Sequence, residues 1–216
     1  MFDLDGTLVD TAPDMVATLN RILTRHHQAT VAYEQARLVV SSGARALIRL
    51  GFEGPLTAAA ETDLINEFLQ DYAEHVCEQS QLYPQMANIL AACEDQQIPW
   101  AVITNKPVEL AKNVLSGLDL LSRCKVLLGG DSLPVKKPDP VPLLHCAMLL
   151  SVAPSECLYI GDHVRDIEAA RQAGMESAIA TWGYIEESED LTAWQADLTF
   201  TSTLECAQFV NDCLPN

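Results

Sequence analysis

The run Phe2-Asp3-Leu4-Asp5-Gly6-Thr7-Leu8-Val9-Asp10 decides how the rest of the chain is read. Asp3 and Asp5 stand two residues apart, so an extended backbone points both carboxylates to one side. Gly6 then lets the chain turn away sharply. Two like charges this close are stable only where a cation or a proton neutralises part of them. A carboxylate nucleophile on a metal, with a neighbouring carboxylate carrying the proton, is the pairing that phosphoryl transfer needs.

Downstream, the pattern predicts an open, mostly parallel α/β sheet. Trp100-Ala101-Val102-Ile103-Thr104 reads as a buried strand, and Pro107 opens a helix that Gly117 stops. Val126-Leu127-Leu128 reads as a second strand, followed by a helix over about residues 140–151. Cys157-Leu158-Tyr159-Ile160 reads as a third, followed by a helix over about 163–173, and 177–180 and 198–200 are further strands. Residues 14–80 differ, carrying helical periodicity without a convincing strand: Met15, Leu19, Ile22 and Leu23, then Ala46, Leu47 and Leu50, then Leu64, Ile65, Phe68, Leu69 and Tyr72. The organisation predicted is a core over 1–13 and 81–216, with an all-helical insert over 14–80.

Composition narrows the function. A net charge of −17 repels nucleic acid and anionic membrane, and no apolar run reaches the roughly 18 residues of a membrane helix. An anionic substrate then needs a local positive site. The five lysines all lie between Lys106 and Lys137, and of these Lys106 and Lys137 are read as more than sparse surface charge. Seven cysteines without C-x-x-C or C-x-x-H spacing read as reduced thiols of a cytoplasmic protein and argue against zinc. The partner expected is a small phosphorylated metabolite, with no nucleic acid and no membrane, and the chain is expected to be a monomer or weak dimer.

In doubly wound sheets, ligands bind beyond the C-terminal ends of the strands. The unusual polar residues fall at such ends: Asp3 and Asp5, then Thr104-Asn105-Lys106-Pro107, then Lys136-Lys137-Pro138-Asp139-Pro140, then Gly161-Asp162 with Asp166 four residues on. Taken singly, each has a plain reading as a turn, a helix cap or a solvated loop. Their order at successive strand ends removes that reading.

With these four clusters the chain resembles the haloacid dehalogenase superfamily of phosphatases. The resemblance implies a Rossmann-like core with a helical cap inserted after the first strand. It implies that Asp3 attacks phosphorus and that Asp5 serves as acid and base. Thr104 and Asn105 then hold the phosphate, Lys137 adds positive charge, and Asp3, Asp5 (through its main-chain carbonyl), Asp162 and Asp166 form a Mg²⁺ site. A second aspartate at Asp5 favours phosphate esters over carbon–halogen bonds. Residues 14–80 hold no lysine for the Schiff base of the phosphonate-cleaving relatives, while sugar-phosphate mutases share every core motif.

The helical insert carries specificity in that family. In Ser41-Ser42-Gly43-Ala44-Arg45-Ala46-Leu47, hydroxyls and Arg45 meet a polar substrate, or else the segment is an ordinary capped helix with a surface arginine. Ser42 to Arg45, Thr104 to Pro107, Lys137 to Pro140, Trp182-Gly183-Tyr184-Ile185 and Trp194-Gln195-Ala196-Asp197 resemble the N-acetylmuramic acid 6-phosphate phosphatases. The core motifs with Gly129-Gly130-Asp131 resemble phosphoglycolate phosphatases. Both substrates carry a carboxylate beside the phosphate, so Arg45 suits either. One departure from the family is that only Met1 and Phe2 precede the nucleophile. Two apolar residues missing from a buried strand cost on the order of 3–6 kcal/mol, so an apolar lead-in upstream of Met1 is expected.

Overall fold

The computed structural model describes residues 1–213. A two-residue strand β1 (Val9–Asp10) leads into helices α1 (Ala12–Arg25), α2 (Tyr33–Arg37), α3 (Ala44–Gly51) and α4 (Ala58–Glu74). Strand β2 (Gln81–Leu82) then returns antiparallel to β1. The alternating half follows: α5 (Met86–Asp95), β3 (Ala101–Ile103), α6 (Val108–Gly117), β4 (Val126–Leu128), α7 (Val141–Leu150) and β5 (Leu158–Gly161). It closes with α8 (Val164–Gln172), β6 (Glu176–Ala180), β7 (Leu198–Phe200) and α9 (Thr203–Cys213).

Strand β3 pairs parallel with β4, and β5, β6 and β7 pair parallel in that order. Phe2 joins the two groups, bridging Val102 on one side and Ile160 on the other. Its N–H donates to Ala101 O at 3.0 Å and its carbonyl accepts from Ile103 N at 3.0 Å. On the other side Asp3 N donates to Ile160 O at 2.9 Å. The first strand is thus reduced to the pairing of Phe2 and its neighbours, and Asp3 leaves the sheet at its middle. There the strand order turns back on itself, which is where an open α/β sheet forms its ligand crevice.

Local sequence accounts for the flanking elements. Pro13 pre-sets the first turn of α1, and Met15, Val16, Leu19, Ile22 and Leu23 form its buried stripe. Leu19, Ile22, Leu23, Leu47, Ile48, Phe68 and Tyr72 belong to one core among α1, α3 and α4, which Leu110 and Tyr184 join from the other half. Leu19 is fully buried in it, so Leu19→Ala is expected to cost about 2–5 kcal/mol. The sheet has its own core on each face, around Leu4, Trp100 and Val102 on one and Ala101, Ile103 and Tyr159 on the other. The short β1–β2 pair was not foreseen, because two-residue strands carry no readable period. It ties together the points where the helical segment leaves and rejoins the sheet.

Candidate active site

The loops after four strand-end segments converge at Asp3. The carboxylates of Asp3, Asp162 and Asp166 are buried, and each offers an oxygen within 4.8 Å of the others. The Lys137 ammonium, fully buried, lies 3.0 Å from Asp3 Oδ1 and 2.7 Å from Asp166 Oδ1, and donates to Tyr159 Oη at 2.7 Å. Tyr159 in turn donates to Ile103 O at 2.6 Å, which fixes the lysine to β3 and β5. Asn105 donates its side-chain N–H to the Lys137 carbonyl at 2.9 Å, so it steadies the lysine loop.

Each acid is oriented by its own element. Asp166 Oδ2 accepts from His163 N at 3.0 Å, in the capping box that opens α8. Asp162 accepts from Thr7 Oγ1 at 3.0 Å, from Tyr184 N at 3.0 Å and from Ser41 Oγ at 2.7 Å. Two glycines make room for it. Gly6 adopts φ +83°, and a Cβ there or on Gly183 would collide with the Asp162 side chain.

Burial and the neighbouring charges of Asp3 and Asp166 push the Asp162 carboxyl up to about 7. Burial also raises Asp3, against the pull of Lys137. Three clustered carboxylates thus have one ammonium in contact with two of them, and the imbalance fits a divalent cation. Oxygen-only donors at this spacing suit a hard ion such as Mg²⁺.

Asp5 stands apart from this group. Thr11 Oγ1 donates to its Oδ1 at 2.5 Å and Lys106 Nζ donates to the same oxygen at 2.7 Å. The two donors hold the Asp5 carboxylate away from the acidic cluster, and the expectation for the metal concerned its main-chain carbonyl, not this group. Only its main-chain carbonyl is left for that role. Thr104 closes on itself, its Oγ1 accepting from Lys106 N at 3.2 Å.

Above these residues lies a pocket of about 240 Å³, whose walls come from both halves. Asp3, Asp5, Thr104, Asn105 and Lys106 form one side, and Ser41 to Arg45 with Phe68 and Tyr72 form the other. Arg45 reaches this pocket, but its Nη1 is 2.6 Å from Glu61 Oε2, and Arg49 holds the other Glu61 oxygen at 2.5 Å. Sequence reasoning offered the Ser41 hydroxyl to a polar substrate but missed its bond to Asp162, and it missed Arg165. Arg165 lines the pocket, donates to the Ser41 carbonyl and leaves its buried Nε without a partner among the described residues. The only signal for it was its place inside the Asp162–Asp166 loop. Ser41 had none beyond its hydroxyl, since its contact with Asp162 spans 121 residues of sequence.

A parallel sheet with an acidic triad, a buried lysine and a helical segment over the strand ends defines a phosphoryl-processing hydrolase. Residues 1–180 match the model of the haloacid dehalogenase-like hydrolases, and the chain belongs to that family. A phosphoglycolate phosphatase of Xylella fastidiosa (strain Temecula1) is 45% identical over 197 residues, covering 91% of this chain and 86% of the relative. An N-acetylmuramic acid 6-phosphate phosphatase of Pseudomonas aeruginosa is 39% identical over 198 residues, covering 92% and 88%. A crystal structure from Haemophilus somnus, described as a predicted phosphoglycolate phosphatase, superposes with a TM-score of 0.86 at 27% identity, covering 96% of this chain and 95% of that one. These relatives put the chain among the phosphatases of its family.

Proposed function

We propose that the chain is a Mg²⁺-dependent phosphomonoesterase that works through an aspartyl-phosphate on a small, carboxylate-bearing phosphate ester. The observation that carries this reading is the buried Asp3, Asp162 and Asp166 cluster, with the Lys137 ammonium against Asp3 and Asp166 and with Asp3 opening onto the pocket. Asp3 attacks phosphorus as the ester P–O bond breaks, and Asp5 gives its proton to the departing oxygen. Asp5 then takes a proton from the water that hydrolyses the aspartyl-phosphate. Thr104, Asn105 and the N–H groups opening α6 hold the phosphoryl oxygens, and Lys137 offsets their charge. Asp3, Asp162 and the Asp5 main-chain carbonyl would hold Mg²⁺, with Asp166 orienting that set. When bound, the ion supplies charge stabilisation at the phosphoryl group. Residues 14–80 serve as the cap, and Arg45 meets the part of the substrate beyond the phosphate. Seven free thiols support a cytoplasmic setting, and the chain is taken as a monomer or weak dimer.

The substrate favoured is N-acetylmuramic acid 6-phosphate. The 39% identical relative named for it and the Ser42–Arg45 segment support this. A second reading, 2-phosphoglycolate, has the support of the 45% identical relative and of the pocket size. A volume of about 240 Å³ lies below the ~300–1,000 Å³ of sites for drug-sized ligands, and suits a very small acid without cap movement. Comparing kcat/KM for the two compounds and for hexose phosphates decides between them. A clear preference for phosphoglycolate overturns the first choice. Isomerised sugar phosphate in place of released phosphate overturns the phosphatase reading in favour of a mutase.

A further inference from the structure

Lys106 has no role in the chemistry above, yet it is buried at the centre of the pocket wall. Its Nζ lies 2.7 Å from Asp5 Oδ1, 3.8 Å from Met15 Sδ and 4.4 Å from the centroid of the Tyr72 ring. Met15 and Tyr72 belong to α1 and α4, so the ammonium sits between the sheet end and the helical segment. Thr11 and Lys106 both donate to Oδ1 of Asp5, and no donor among the described residues reaches Oδ2. One oxygen is therefore fixed and its twin is left to carry the proton.

We propose that Lys106 is a positioning residue that pins Asp5 by one oxygen as acid and base, and that Tyr72 completes this setting only when the helical segment lies against the sheet. The inference rests on Asp5 being the proton carrier. A cation against Oδ1 makes a proton on Oδ2 easier to give to an alkoxide. Removal of either Lys106 or Tyr72 lets the carboxyl wander, and a displacement of about 1 Å in such a group costs on the order of 10²-fold in rate.

The test uses two esters. Departure of an alkoxide needs the proton, whereas departure of p-nitrophenolate does not, and kcat/KM reports the steps up to that departure. The alkyl ester is the better turned over of N-acetylmuramic acid 6-phosphate and 2-phosphoglycolate. Asp5→Asn is expected to lose at least about 100-fold on the alkyl ester and less than about tenfold on p-nitrophenyl phosphate. Equal losses on both esters overturn the Asp5 assignment itself. Lys106→Met, which keeps length and removes charge, is expected to lose about 10–100-fold on the alkyl ester and within about threefold on the aryl ester. An equal loss on both esters, or none on either, overturns the role of Lys106 while a selective Asp5→Asn leaves the underlying reading standing. Tyr72→Leu, which leaves every sheet-side group of the site in place, is held to the same two criteria and decides the matter should Lys106→Met fail to fold.

Discussion

The two walls of the pocket are built differently. On the sheet side, every functional group is held by another: Lys137 by Asp3, Asp166 and Tyr159, Asp166 by the α8 cap, and Asp162 by Thr7 and Tyr184. On the helical side, the segment from Arg37 to Ser41 reaches the sheet half through few polar contacts. Arg37 donates to the Trp182 and Gly183 carbonyls at 3.2 and 3.1 Å, Ser41 donates to Asp162, and Arg165 reaches the Ser41 carbonyl. The first wall is rigid because its groups are buried and hydrogen-bonded to one another. The second depends on contacts that a modest rearrangement can exchange. Chemistry suits the first wall and substrate selection the second.

Breaking the rigid wall gives the largest effects. Asp3→Asn removes the nucleophile while keeping shape, and phosphate release is expected to fall by at least about 10⁴-fold. A variant with appreciable turnover sinks the assignment. Lys137→Met comes next, because it strips the one ammonium that, among the described residues, contacts Asp3 and Asp166. Leaving buried carboxylates without their partner costs about 3–5 kcal/mol, so thermal unfolding without Mg²⁺ should fall by many degrees, along with a loss of about 10²–10³-fold in kcat. An unchanged melting temperature would mean that the cluster tolerates its own repulsion.

The same repulsion predicts a pH-dependent response to the ion. Asp162 titrates near 7 in the fold, raised by burial and then by Asp3 and Asp166. An unfolded aspartate titrates at about 3.9, so the metal-free fold binds the extra proton between those values. Its stability therefore falls as pH rises through that window. Mg²⁺ binds the ionised carboxylates, so its stabilisation runs the other way. A saturating ion worth about 2–3 kcal/mol at pH 8 should raise the melting temperature by about 5–10 °C there, and by little at about pH 5.5. An equal shift at both values would place the ion elsewhere.

Legibility in the sequence followed this division. Asp3, Asp162, Asp166 and Lys137 were readable because strand–helix alternation puts residues that follow strands at one edge of the sheet. Strand limits moved by a residue at each end, from 100–104 to 101–103. Asp5 was read as acid and base, but the turn of its carboxylate was not legible, because it depends on Thr11 and on Lys106, which is 101 residues away. Lys106 stood out as more than a surface charge, but its partner on Asp5 had no local signal. Ser41 and Arg165 meet only when the helical segment folds over the sheet, and no local pattern encodes that encounter.

The smallest effect is expected from the helical wall, and it is the most informative about substrate. Arg45 is more than half exposed and shares Glu61 with Arg49. In Arg45→Ala, Arg49 still holds the buried Glu61, so removing the exposed arginine should change stability by no more than about 1 kcal/mol. A change in kinetics then reports on substrate contact and not on a disturbed helix. If Arg45 meets the substrate carboxylate, KM for N-acetylmuramic acid 6-phosphate or 2-phosphoglycolate should rise about tenfold at nearly constant kcat, the signature of binding shared by ground and transition states. For p-nitrophenyl phosphate, which has no carboxylate, the same variant should behave as wild type. A rise in KM for both kinds of ester would make Arg45 a general phosphate contact, and no rise for either would leave Glu61 as its sole partner and move recognition of the carboxylate to Arg165 or to Ser41 and Ser42.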